Sequence, residues 1–208
     1  MFSQDRRDPS TDDIEIVSFK KLILYPSRFA LGRRIFEYSE VLRLYCNVKQ
    51  VSEGFGYTTY AKVLIYTNKD KHPLKIQHKA QLSAKKVMPM FWSAYNVLQD
   101  QTRQYRARYY QHQLEQKGFF DYDRAVRITK AGTIERRGIA VCVSVARDKG
   151  LLQIGTEYGF QGDNYKKDPL EVIISESGFG VFQKKIKFHI HYDADIMTSL
   201  LSGKDMLE

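Results

Sequence analysis

The sequence predicts an α+β protein whose two halves are built alike. Three observations carry this. Short runs rich in β-branched and aromatic residues fill the chain from Ile14 to about His78, and again from Phe119 to about Tyr192. Between them apolar residues recur at steps of three and four, the period of one helix face. A second, shorter helical run, ADIMTSLLS, precedes Gly203 near the end. The order strands, helix, strands, helix reads as one architectural unit used twice.

The elements follow in order. Residues 1–13 are polar with mixed charge and Pro9, and read as a flexible tail. IEIVSF, KLILY, RRIFEY and VLRLYCNV are β-rich runs, SEGFGY is a turn, YTTYAKVLIYTN is a longer strand, and LKIQH follows Pro73. The helical stripe is Ala84, Val87, Met88, Phe91, Tyr95, Leu98, Thr102, Tyr105 and Tyr109. Ser83 is placed to cap its start, and Gly118 to end it. Pro89 either kinks this helix or marks a start near Met88. At roughly 45 Å the helix is too long to cover one small sheet, so its second half is expected to reach whatever follows.

In the second half RAVRIT, GTIERR, GIAVCVSVA and GLLQIG read as strands. A long loop, TEYGFQGDNYKKDP, precedes LEVIIS, a Ser177-Gly178 turn, GVFQ and KIKFHIHY. The expected boundaries are a tail over 1–13, a first unit over 14–118 with its helix at about 84–117, a second unit over 119–203, and a tail over 204–208.

The first half has a polar turn at Gly32, the strand RRIFEY, and then Tyr38, Ser39, Glu40 and Val41 leading into the next strand. The second half has a turn at Gly132 before IERRGIAVCVSV, and the junction reads QLEQKG, an aromatic pair, then RITKAG. In this the chain resembles bacterial proteins with two pleckstrin-homology-like (PH-like) units in tandem, over nearly all its length after the tail. The resemblance implies two PH-like units, each a bent antiparallel sheet or partly open barrel capped by a C-terminal helix. It implies a binding or scaffolding fold and brings no catalytic residues with it.

Composition narrows the function. Lys plus Arg is 33 against 24 Asp plus Glu, a net +9. That favours an anionic counterpart without choosing among nucleic acid, acidic protein and membrane surface. The two cysteines, Cys46 and Cys142, lie in apolar runs without a CxxC pair, and read as buried, reduced thiols. MFSQDRRDPSTDD lacks the apolar core of a signal peptide, and no run approaches the ~18 apolar residues of a membrane span. A cytoplasmic setting is expected, with peripheral membrane attachment as the variant.

Four clusters carry chemistry that can be weighed. His189 and His191 share a strand face with Lys185, Lys187 and Asp193, while Ile186, Phe188, Ile190 and Tyr192 form the apolar face. An H-x-H pair can ligate a metal, but it needs a third ligand, and neighbouring lysines repel a cation. The plainer reading is an outward polar row, with Asp193 or Asp195 capping the last helix.

Arg103, Arg106 and Arg108 alternate with Tyr105, Tyr109 and Tyr110. Such interleaving suits nucleic acid, but no nucleic-acid motif is visible. The plainer reading extends the apolar helix face past solvated arginines, so nucleic acid is not the expected partner. Lys20, Lys21, Arg33 and Arg34 flank the first strands, where a basic patch would attract anionic lipid.

The G-x-G of SEGFGY lies between strands and lacks the helix N-terminus that binds phosphate. No catalytic motif is found. The expectation is a non-catalytic module, without cofactor or metal, that binds a protein partner. Attachment to anionic membrane lipid through the basic turns is the alternative.

Overall fold

The computed structural model describes residues 14–53, 56–80, 84–136, 139–154, 170–176 and 184–207. It is a mixed α+β structure with antiparallel sheets and few helices. Strands β1 (Val17–Phe19), β2 (Leu22–Leu24), β3 (Arg28–Leu31) and β4 (Arg34–Glu37) form a four-stranded meander in chain order. Its register lines up Val17, Leu24, Phe29 and Phe36 on one face. The rings of Phe29 and Phe36 stack there, 5.1 Å apart. β3 is the strand the sequence reading passed over: it has only four residues, squeezed between Pro26-Ser27 and the Gly32 turn.

A short 3-10 turn, Tyr38–Glu40, leads into a second sheet of β5 (Val41–Glu53), β6 (Gly56–Thr67) and β7 (Leu74–Ala80). Along β5 the strand period divides the residues. Leu44 and Val48 are buried, whereas Tyr45, Asn47 and Lys49 belong to the opposite face.

Helix α1, Ala84–Lys117, is 34 residues long, about 50 Å at the usual rise. Pro89 lies inside it, so the helix begins before the proline. Two hydrophobic cores share this helix. Met88, Phe91, Ala94, Tyr95 and Leu98 pack with Phe19, Leu24, Phe29, Val41 and Leu44. Ala107, Tyr110 and Leu114 pack with Phe120, Tyr122, Ile134, Ile196 and Met197. The length of α1 thus has the expected cause: its second half serves the elements that follow.

Those elements repeat the first order. β8 (Phe119–Asp121), β9 (Val126–Thr129), β10 (Thr133–Arg136) and β11 (Ile139–Cys142) make a four-stranded sheet. A short helix, α2 (Val143–Asp148), follows. Then β12 (Leu152–Ile154), β13 (Leu170–Glu176) and β14 (Lys184–Ile190) make a three-stranded sheet before α3 (Ala194–Ser202). Among the described residues both halves therefore run four strands, a short helical turn, three strands and a helix. Among the described residues no sheet closes into a barrel.

GIAVCVSVA is not one strand. β11 stops at Cys142 and the chain coils into α2. Val143 and Ala146, three apart, turn into the core while Val145 stays exposed. Tertiary packing here overrides the strand preference of alternating valines. Both cysteines are half-buried, not fully buried as expected. Ser83, the loop over 156–169, the Ser177-Gly178 turn and GVFQ lie outside the described residues. Among the described residues no helix is long and apolar enough to cross a membrane.

Candidate functional site

The two halves meet at the segment leaving β14. Ile190 is buried, and the backbone then runs antiparallel beside β5. The Cys46 N–H donates to the His191 carbonyl at 2.9 Å, and the Asp193 N–H to the Leu44 carbonyl at 2.8 Å. Asp193 sits at φ 45°, ψ 51°, a left-handed conformation that Asp tolerates better than most residues. That turn overturns the expected outward row: Asp193 is fully buried. It does occupy the N-cap position of α3, but without a side-chain capping bond.

Its carboxylate instead binds across the junction. Oδ1 accepts from the Leu44 N–H at 2.8 Å and from Arg106 Nη1 at 2.7 Å. Oδ2 accepts from the Tyr110 hydroxyl. Arg106 is also fully buried, and each of its N–H donors finds an acceptor. Nε reaches Thr102 Oγ1 at 2.9 Å and Nη2 reaches the Gln99 carbonyl at 2.9 Å. Both Nη atoms reach Asp195, at 3.0 and 2.8 Å.

Arg103 adds a bond to Ser199 Oγ at 2.9 Å. Arg43 donates to the Tyr110 hydroxyl at 2.8 Å and the Tyr122 carbonyl at 2.6 Å, with its guanidinium 4.3 Å from the Tyr192 ring centre.

Burial raises the pKa of Asp193, with Arg106 and the Tyr110 hydroxyl pulling against it. Burial also pushes Asp195 up, but the charge and hydrogen bonds of Arg106, with Arg103, hold it below the usual carboxylate range. Burial and the Asp193 charge push Tyr110 well above the usual phenol value. Arg106 and Asp193, at its centre, are fully buried and saturated with internal partners. Its work is to lock α1, β5 and α3 together.

The β5-β6-β7 sheet carries a different surface. On the outer face of the β5-β6-β7 sheet, register places Lys49, Tyr60 and Lys79 side by side on three strands. The next same-face row is Asn47, Lys62 and Gln77. Lys49 and Lys79 flank the Tyr60 ring at 5.8 and 5.3 Å, and Lys62 lies 5.5 Å from the Tyr45 ring. These rows line a recess of about 660 Å3, and none of its described lining residues is acidic. At the far end the rings of Tyr45 and Tyr192 meet at 5.0 Å and those of Tyr66 and Tyr192 at 6.0 Å. Burial, then the Tyr66 hydroxyl, pushes Tyr192 up to about 12.

The residues singled out from sequence fall in three places. His191 is half-buried at the end of this aromatic row, 5.5 Å from the Tyr45 ring and 6.3 Å from that of the exposed His189. Burial, then the His189 charge, holds His191 below the usual histidine value. Among the described residues no group of three or more His, Cys, Asp or Glu is placed to hold a metal.

Lys20 and Lys21 form the β1–β2 turn, and Gly32 and Arg33 the β3–β4 turn. The Gly32 N–H donates to the Lys21 carbonyl at 2.9 Å, so the two turns touch. Lys20 Nζ reaches the Gln77 carbonyl at 2.5 Å, and Arg34 is paired with Asp70 at 2.7 Å. Arg103 and Arg106 belong to the buried lock, so Arg106 is not a solvated arginine; Arg108 is exposed.

Lys49, Lys62, Lys79, Tyr45 and Tyr60 escaped the sequence reading. Their signal was the alternation in LYCNVK, YAKV and KIQHK, whose odd or even members gather only when register is known. The chain matches no protein-family model, no curated protein and no solved structure.

Proposed function

We propose that this chain is a non-catalytic binding module of two PH-like units that takes an anionic partner on the recessed Lys–Tyr face of its first unit. The PH-like reading is supported by the element order, in which seven antiparallel strands in a four-plus-three arrangement precede a helix in each half. The single observation behind the binding reading is the recess whose described lining sets Lys49, Lys62 and Lys79 around Tyr60 and Tyr45. Three cations on one concave surface focus positive potential there. Some basic residues elsewhere meet carboxylates: Arg34 meets Asp70, Lys69 meets Glu40, and Arg127 meets Asp121.

Retention on an anionic matrix tests this. The wild type is expected to bind at low salt. K49E/K62E/K79E should elute at clearly lower salt than a control of equal charge, K86E/K130E/K204E, drawn from exposed lysines elsewhere. Equal elution of the two triple variants would reduce the face to general surface charge and end the proposal.

A second reading, peripheral contact with an anionic bilayer, rests on the touching turns that bring the exposed Lys20, Lys21 and Arg33 together. It predicts flotation with anionic but not neutral vesicles, weakened by K21E/R33E.

A further inference from the structure

The buried lock leaves one of its cations with donors to spare. We infer that this cation, Arg43, is the base of a second site, a small recess where the two halves meet that takes one phosphate group. The site is separate from the Lys–Tyr face and does not depend on it.

Charge is the first argument. Arg106 pairs with Asp193 and Asp195, Arg103 with Asp195, and Arg43 with Asp193. Three guanidiniums against two carboxylates leave one positive charge in excess. Arg106 is fully buried with its donors met, whereas the Arg43 side chain is 19% exposed. The Arg43–Asp193 contact is also the longest of the four, at 3.8 Å against 3.4 Å or less. The Asp193 oxygen it faces, Oδ2, already accepts from the Tyr110 hydroxyl. The excess charge therefore resides on Arg43.

Hydrogen bonding is the second. A guanidinium carries five N–H donors. Arg43 Nε donates to the Tyr110 hydroxyl at 2.8 Å, and Nη2 to the Tyr122 carbonyl at 2.6 Å. These two bonds, with the Tyr192 ring 4.3 Å away, hold the fork in one orientation. Among the described residues the remaining donors meet no hydrogen-bond acceptor. A fixed fork with donors in reserve is suited to an oxyanion.

The recess supplies the rest. It measures about 170 Å3, and Arg43 shares its lining with Gln113 and Lys117 of α1 and Phe119 and Asp121 of β8. Lys117 brings a second cation and Gln113 an amide donor. Asp121 already accepts from Arg127 Nε at 2.8 Å. A volume below the ~300 Å3 of ordinary ligand clefts admits a single group. A phosphate, close to two negative charges at neutral pH, matches two cations better than a carboxylate does. A wider recess of about 860 Å3 shares Arg43 and Asp121 and leaves room for the body of a phosphate monoester.

Titration calorimetry of the full chain tests the site, with inorganic phosphate, phenyl phosphate and acetate at constant ionic strength. One equivalent of phosphate or of the monoester is expected to bind saturably, at least about tenfold tighter than acetate. A tighter monoester would make the ligand a phosphorylated molecule, and equal affinities the free ion; both results sustain the site. Lys117→Met, a change at an exposed residue, should weaken binding about tenfold, the range for a hydrogen bond to a charged group. Arg43→Lys, which loses the fork, should abolish saturation. K49E/K62E/K79E should bind phosphate as the wild type does.

No saturable binding, acetate binding as tightly as phosphate, or wild-type affinity in Lys117→Met would overturn the inference. Loss of binding in K49E/K62E/K79E with none in Lys117→Met would place the anion on the Lys–Tyr face, overturning this site and leaving the other reading intact.

Discussion

Two regions of this molecule mix basic and tyrosine side chains, and they do opposite things. On α1, Arg106 and Tyr110 point into Asp193 and are buried, as is Asp193 itself, with the half-buried Arg103 beside them on Asp195. On the β5-β6-β7 face, Lys49, Lys62 and Lys79 surround Tyr45 and Tyr60 in a recess with no acidic residue among its described lining. Composition does not separate the two; the availability of an internal counter-charge does. A buried guanidinium needs every donor met, and Asp193, Asp195, Thr102 and Gln99 meet them. The lysines of the second region lie over tyrosine rings at a partly exposed surface, where water meets part of that demand.

The largest expected effect breaks the first region. Arg106→Met should strand Asp193 and Asp195 in the interior and cost about 3–5 kcal/mol of unfolding free energy, read from the denaturant midpoint. A loss below about 1 kcal/mol would mean that the lock is ornamental. Arg43→Lys keeps the charge but cannot reach both the Tyr110 hydroxyl and the Tyr122 carbonyl. It should cost about 1–3 kcal/mol, the range for hydrogen bonds to a charged group.

Next comes pH. The folded pKa of His191 lies below its ordinary value through burial and then His189, and that of His78 through burial and then Lys20. As pH falls through about 6.5 the unfolded chain takes these protons first. Stability should therefore decline below that point, and His191→Gln should make the decline shallower between pH 7.5 and 5. Asp195, held below the usual carboxylate range, adds a further loss only in stronger acid. A midpoint independent of pH down to 5 would contradict the placement of His191.

The smallest effect is expected at the Arg34–Asp70 pair, whose arginine is 56% exposed. Solvent and salt screen such pairs. Arg34→Ala should leave the midpoint where it is.

The two regions also show what a sequence can and cannot display. The helix stripe was legible because α1 places neighbours three and four apart in one line; its extent and the order of strands around it followed from period and punctuation. The partners of Arg106 were not legible, since Asp193 lies 87 residues away. The alternation through KIKFHIHYD also pointed the carboxylate outward, and only the left-handed turn at Asp193 reverses it. Short elements were lost where turn residues crowd them, as at β3. α2 was misread because two of its valines also fit a strand. The Lys–Tyr face was invisible for a different reason: its members come from three strands, each contributing every second residue, and only register assembles them.

One matched pair of single charge reversals tests the central contrast most directly. Lys62→Glu lies on the recessed face, and Arg108→Glu is a change on the exposed side of α1. On an anionic matrix Lys62→Glu should elute at clearly lower salt than the wild type. Arg108→Glu should elute close to the wild type. The reverse order, or equal losses, would contradict the assignment of binding to the face and of structure to the helix.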